Sequence, residues 1–418
     1  MLLVSMSALL AAVLFLCISS FVVSPVRKDV KRQPSRSKEA RGQSSNAVPM
    51  AHCDSPIDPG EEVVSMTGVG PMTYRLLAIM ILALGPGFGA SVACAQRQPE
   101  TFFKNKIGLS DSDIQKMDQG QVVTKVLESG DKKYGILVFG GVYINTPIEK
   151  FAAAYRDVKG LLEDKVYLAV QEFSEVGSPP KLSDFDRLAF DRKDIDAIQK
   201  CKPGNCDLQV FDVTAFQRQI NWHSSDKYDQ ANKLARQRIY DGTTKYISGG
   251  LKAFGSYTDR EKPFNLYQNM KSMLDTSYYL PPDKSGGIYQ HVLEYPDGKV
   301  SGAMDFFYWE NIDFGQGPTI RVNRVSMFPN GVGVVKYVVT NEQLYSSRYI
   351  RIALQVFYCV PDTQNPDKPG FYLIEMNDSR LPDFGGIKLG VVRKIATGKG
   401  VQSTKDILGL YNRRLTGK

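Results

Sequence analysis

The chain has 418 residues, 43% hydrophobic and 11% aromatic, enough to bury a proper core and to exclude disorder throughout. Its formal charge is +8, from 52 basic and 44 acidic residues. The excess is local: from Lys388 onward eight basic residues face one acid, Asp406, and the rest of the chain is close to neutral.

The first apolar stretch, Leu2 to Val23, precedes Arg27, Lys28, Lys31, Arg32, Arg36, Lys38 and Arg41, against only Asp29 and Glu39. Read as a membrane span, it keeps that loop cytoplasmic by the positive-inside rule. Residues 42–71 are polar and rich in Gly, Pro and Ser, more like translated leader than a folded element. Met72 to Gln96 then has the three parts of an export signal. Arg75 is a positive start, Leu76 to Leu84 is an unbroken apolar run, and Ala93-Cys94-Ala95 offers small residues to a peptidase. A membrane span needs about 20 apolar residues without a break, and Gly85-Pro86-Gly87 breaks this one. The reading adopted is a signal peptide at 72–95 with Met72 as initiator. The alternative makes residues 1–71 a first span plus linker, anchoring the protein through an uncleaved N-terminal segment. Ser91-Val92-Ala93-Cys94 also resembles a lipoprotein box, which would lipidate Cys94. Every version exports the chain beyond Gln96, to the periplasm or the exterior.

Residues 96–418 are read as a single α+β domain. Ser110-Asp111-Ser112-Asp113 caps a short helix. "YGILVFGGVYI" is apolar on both faces, a strand packed on two sides, and Gly140-Gly141 predicts a bulge or bend where the sheet curls. Thr146, Pro147 and Glu149 predict an N-cap, first turn and capping box for a helix whose apolar face is Ile148, Phe151, Tyr155, Val158 and Leu162. Val166 to Val176 returns to strand chemistry.

From about 179 to 282 the pattern is helical and polar, a helical insertion. Asp191 caps a helix through Lys200, Ser224 or Ser225 caps a longer one past Tyr240, and Gly249-Gly250 punctuates it. Cys201 and Cys206 flank a Pro203-Gly204 turn that brings them within disulfide reach. Closing so short a loop contributes roughly 2 kcal/mol in the chain-entropy model. Strands are expected at Gly287–Glu294, Met304–Trp309, Thr319–Met327, Val332–Thr340, Tyr349–Val360 and Phe371–Met376, with Cys359 a buried thiol. The end is helical again: Ile387, Val391 and Ile395 are spaced by four, and Ser403 to Asp406 recap a last helix carrying Leu408, Tyr411 and Leu415.

This order resembles the helix-grip fold. "GVYINTPIEKFAAAYRDV" is similar to the first strand and helix of START-type and polyketide-cyclase-like lipid-binding domains, "AMDFFYWENIDFG" to a middle strand, and the tail from Gly386 to their closing helix. The region 96–418 also looks like a family of secreted bacterial proteins to which no activity is assigned. The resemblance implies a curled antiparallel sheet wrapped on a long C-terminal helix, with an apolar or amphipathic small molecule bound between them. Concave apolar spaces of that kind bind ligands, and Phe306, Phe307, Tyr308, Trp309, Phe357 and Tyr358 are the aromatic residues placed near it.

The chemical motifs are weak. His223 and His291 form no metal-spaced pair, and the cysteine spacing lacks the second pair a zinc site needs. Ser224 and Lys227 match a serine–lysine spacing, with Lys284-Ser285-Gly286 as a later basic box, but the intervening serine–asparagine box is missing. Asp184, Asp186, Asp191, Asp194 and Asp196 lack calcium-loop spacing and sit at helix starts, where caps are expected. No nucleophile elbow, phosphate loop or dinucleotide fingerprint is present, so no catalytic residue, metal or cofactor is assigned. An exported hydrolase with a site built from distant residues, or a structural envelope protein without a pocket, is the competing reading. The basic residues Lys388, Arg393, Lys394 and Lys399 suit an anionic membrane surface; nucleic acid is not a partner expected outside the cytoplasm.

Overall fold

The computed structural model describes residues 98–417 except 174–178, 203–205, 207, 210–212, 258, 260–261, 281–284, 314, 316, 330, 332, 363–368 and 385. They belong to one compact unit, Ala90–Lys418. The export signal, the first apolar stretch and Cys94 lie outside the described residues. No helix among the described residues is long and apolar enough to cross a membrane.

The frame is α+β. After the helical turns of 98–107 come α1 (Asp111–Asp118), β1 (Val123–Leu127), β2 (Gly135–Ile144), α2 (Glu149–Arg156) and β3 (Tyr167–Glu172). The region read as an insertion carries α3 (Arg192–Lys200), α4 (Val213–Gln219), α5 (Lys227–Phe254), the short ribbon β4 (Ser256–Tyr257) and β5 (Phe264–Asn265), and α6 (Leu266–Asp275). Next in the chain are α7 (Ile288–Leu293), β6 (Met304–Asp313), β7 (Pro318–Phe328), β8 (Tyr337–Ser346), β9 (Ile352–Pro361), β10 (Phe371–Arg380) and α8 (Gly386–Thr416). Eight strands form one antiparallel sheet in the order β1-β2-β10-β9-β8-β7-β6-β3.

Strand alternation sends successive side chains to opposite faces, and both faces are covered. Leu137 and Phe139 of β2 join a core with α1 and α3–α7, while Val142 and Ile144 join a second core with α2 and the C-terminal half of α8. The sheet is therefore a layer between helices. It is open, with β1 and β3 as edges, and the anticipated curl around a helix is not found.

Gly140-Gly141 shows why. β2 pairs without a register break with both neighbours, so there is no bulge. A Cβ on Gly140 would lie 2.3 Å from Thr404 Cγ2, and one on Gly141 would lie 2.6 Å from Met117 Sδ. The two glycines let α8 and α1 approach the same strand from opposite sides.

Several local signals produce the elements they predict. Ser110 and Asp113 form a reciprocal capping box, and Asp191 Oδ1 accepts the Asp194 amide at 2.7 Å. Cys201 and Cys206 are disulfide-bonded, which fits an oxidising compartment, and Cys359 is a buried thiol held well above its usual pKa by desolvation. α5 kinks at Gly249 and Gly250, as the pair predicts.

Others are corrected. α2 starts at Glu149 without a side-chain cap, and Glu149 instead pairs with Lys336. The chain breaks at Asp157 into a 3₁₀ turn, which turns Leu161 inward and leaves Leu162 47% exposed. α5 begins after Asp226, and Ser224 donates to that carboxylate rather than capping the helix. Residues 288–293, expected as a strand, are helical, because Ile288 and Val292, four apart, both bury on the far face. The last helix runs unbroken through Ser403 and Thr404. Ile387, Val391 and Ile395, the spaced-by-four series, are 89%, 50% and 45% exposed; the neighbouring Leu389, Val392 and Ala396 pack against Val138 and Ile136 instead.

Candidate functional site

Where the C-terminal half of α8 packs, the sheet face beneath it is aromatic and closed: Tyr155 and Tyr411 stack at 5.4 Å over Phe357. Towards the other end of the strands the same face turns polar, and a cleft of about 180 Å³ opens under the first half of α8.

The strand register builds its floor. One row across the sheet is Ile136, Ser379, Ala353, Gln343 and Asn323; the next is Val138, Asn377, Gln355 and Asn341. A register shift makes Leu344 an extra residue in β8. It lets Gln343 and Ser346 both line the cleft, while the Tyr345 hydroxyl turns to the far side and donates to Gln209 O at 2.6 Å. Val392, Ile395, Ala396 and Lys399 of α8 form the roof. Arg348, Tyr349 and Ile350, from the β8–β9 turn, close one end. Tyr349 has φ +63°, the one left-handed non-glycine residue among those described. For a bulky side chain that costs about 1–3 kcal/mol, a strain that clusters at functional sites.

The floor's amide donors are committed and several acceptors are not. Asn341 Nδ2 donates to Tyr308 Oη at 3.0 Å and to Gln355 Oε1 at 3.2 Å, so its amide orientation is set by the network. Gln343 Nε2 donates to Ile350 O at 3.3 Å. Arg321 Nε and Asn323 Nδ2 both donate to Glu310 Oε1, at 2.6 and 3.1 Å. Gln355, Thr404 and Asn377 all donate to Glu375 Oε1, at 3.1, 3.3 and 3.4 Å. Asn341 Oδ1, Gln343 Oε1, Glu310 Oε2 and Glu375 Oε2 are buried without a hydrogen-bond partner among the described residues. Such an acceptor costs about 1–3 kcal/mol left unmade. Glu375, fully buried and without a paired cation among the described residues, has its pKa pushed up to about 7 by desolvation, against the donors that lower it.

The six aromatic candidates divide by strand parity. Phe306, Tyr308 and Phe357 lie on the α8 face and line a smaller hollow of about 20 Å³ that shares Arg321, Asn341, Gln355 and Ser403 with the cleft. Phe307, Trp309 and Tyr358 point the other way. Phe307 stacks on Phe173, Trp309 Nε1 donates to Asp184 O at 2.8 Å, and Tyr358 Oη donates to Tyr279 O at 2.5 Å. None of the six lines the larger cleft. In sequence its floor lies inside two polar runs, Thr340-Asn341-Glu342-Gln343 and Asn377-Asp378-Ser379-Arg380, of which strand alternation sends every second residue to the cleft.

On the far face a buried polar cluster brings Ser326, Asp305 and His291 together. The order differs from that of a hydrolytic triad, in which histidine stands between serine and the acid. Here Ser326 Oγ and His291 Nε2 both bond Asp305 Oδ1, at 2.5 and 2.9 Å, and His291 Nδ1 accepts the Val300 amide at 3.0 Å. Both imidazole nitrogens are committed and neither reaches the serine. Fully buried Arg324 completes the cluster, donating to Tyr246 Oη at 2.7 Å and pairing with Glu342 at 3.1 Å. This is core cement.

The remaining candidates have structural partners. Lys227 lies 3.8 Å from Asp196 rather than against Ser224, and Lys284 lies outside the described residues. Asp184 accepts the Lys181 amide and Asp194 pairs with Arg348. Among the described residues no three His, Cys, Asp or Glu side chains converge as a metal site needs. Lys388, Lys394 and Lys399 are exposed on α8, and the Arg393 guanidinium donates to the carbonyls of Lys132 and Lys133. No protein-family model, curated protein or solved structure matches the chain.

Proposed function

We propose that this is an exported binding protein that takes an apolar or amphipathic small molecule into the cleft between the first half of α8 and the sheet, without transforming it. The observation that carries the reading is the composition of that cleft: branched side chains on the roof, and amide oxygens of Asn341 and Gln343 without partners on the floor. An amphiphile matches both, its apolar part against Val392, Ile395 and Val138 and its hydrogen-bond donors on the floor. The position between sheet and last helix is the one the helix-grip resemblance implies. Export rests on the signal-like stretch Met72 to Gln96, and the Cys201–Cys206 disulfide is consistent with it.

Volume limits the guest. A cavity of about 150 Å³ holds benzene, and drug-sized ligands use about 300 Å³ or more. At about 180 Å³ the cleft takes a ring or a short chain segment. A larger lipid enters only if the roof moves, and the roof carries Gly390, Gly398 and Gly400, each weakening the helix by about 1 kcal/mol relative to alanine.

The test is isothermal titration calorimetry with hexanol, a short chain with one hydrogen-bond donor. Saturable binding is expected, and it should be lost in the cleft-filling variants Ala353→Phe and Ser379→Leu, whose folding is checked by circular dichroism. Undiminished binding by both folded variants would place the ligand elsewhere.

A further inference from the structure

The first half of α8 has a second apolar face, and nothing among the described residues covers it. Ile387, Val391 and Ile395 are 89%, 50% and 45% exposed. At roughly 100° per residue the three span about 80° of the helix surface, with Lys394 about 20° to one side and Lys388 and Lys399 about 20–40° to the other. Sheet-facing Val392 and Ala396 lie further round, at about 140–180°. The stripe therefore points away from the sheet and is edged with ammonium groups on both sides.

Charge identifies what would cover it. Residues 386–402 contain Lys388, Arg393, Lys394 and Lys399 and no acid. Of the nearby charges, Lys132 is paired with Glu128, Asp131 lies 3.9 Å from the Arg380 guanidinium, and Asp383 accepts the Tyr134 hydroxyl. A second copy laid face to face would set three flanking lysines against three. An anionic surface with an apolar interior satisfies both features together, as for helices that lie in the membrane interface.

We infer that the exposed Ile387–Val391–Ile395 stripe and its flanking lysines dock the protein on an anionic lipid bilayer, with α8 lying in the interface. Ile395 belongs to the stripe and also lines the cleft, so docking sets the lip of the cleft against the membrane. Docking itself does not depend on the cleft being filled.

Co-sedimentation of the purified chain with phosphatidylcholine vesicles, with and without phosphatidylglycerol, tests this. Binding is expected only to the anionic vesicles and should weaken as salt screens the charges. Lys388→Gln/Lys394→Gln should weaken it about 30-fold, from the energy of two well-placed basic residues. Ile387→Ser/Val391→Ser should abolish it. Hexanol binding in the cleft, measured by calorimetry, should be unchanged in both variants, which separates this inference from the cleft reading. Equal binding to both vesicle types, no binding to either, or full binding by both variants would overturn the inference. So would lipid-free dimers, seen by light scattering, that the serine variant dissolves.

Discussion

Glu375→Gln probes the joint between the sheet and α8. The carboxyl is fully buried, Thr404 of α8 donates to it, and no cation among the described residues is paired with it. Its pKa rises from the ordinary 4.5 to about 7 through desolvation. A difference of that size is worth about 3 kcal/mol. The folded state holds the proton more tightly than the unfolded state does. Stability from this group is thus complete below pH 4.5, falls as pH rises towards 7, and is lost above it. Glutamine keeps Oε1 as the acceptor for Gln355, Thr404 and Asn377 and removes the titration. The variant should match the parent near pH 4, within about 1 kcal/mol for its extra amide donor. Above pH 7 it should be the more stable by about 2–3 kcal/mol. Urea unfolding of both proteins at about pH 4 and pH 8 measures the difference, and Glu342, also raised to about 7, cancels because both proteins contain it. Parallel stability–pH curves would refute the argument that Glu375 is an uncompensated buried acid.

Gly140→Ala places a methyl 2.3 Å from Thr404 Cγ2 and 2.6 Å from Leu408 Cδ1, so it should cost about 1–3 kcal/mol by overpacking; an unchanged urea midpoint would show that α8 does not rest on β2. Gly390→Ala and Gly398→Ala meet nothing within 4 Å. Each should stabilise the helix by about 1 kcal/mol, read as a rise in thermal midpoint.

Much of the architecture was legible because its causes are local. Strand patterns at 304–309, 319–327 and 371–376 became β6, β7 and β10 with longer ends, and the caps at Ser110 and Asp191 formed as their side chains dictate. The readings that failed depended on partners distant in the chain. Gly140-Gly141 reads as a bend until one knows that α1 and α8 press on it from both sides. Ile387, Val391 and Ile395 mark one apolar face of the last helix, yet the sheet accepts the adjacent stripe. The cleft was hidden for a similar reason: register alone lines up Asn341, Gln355 and Asn377 across three strands, and in sequence nothing marks which members of the polar runs at 340–343 and 377–380 share a face. Tyr349, with its left-handed backbone at the mouth, carries no sequence mark at all.

The most direct measurement is mass spectrometry of an organic extract of the protein purified from its producing cells, beside extracts of Ala353→Phe and Ser379→Leu. A single amphiphile near one per chain in the parent, and absent from both folded variants, is the predicted result. An empty extract from the parent, or the same molecule at the same ratio in all three, would contradict a ligand held between α8 and the sheet.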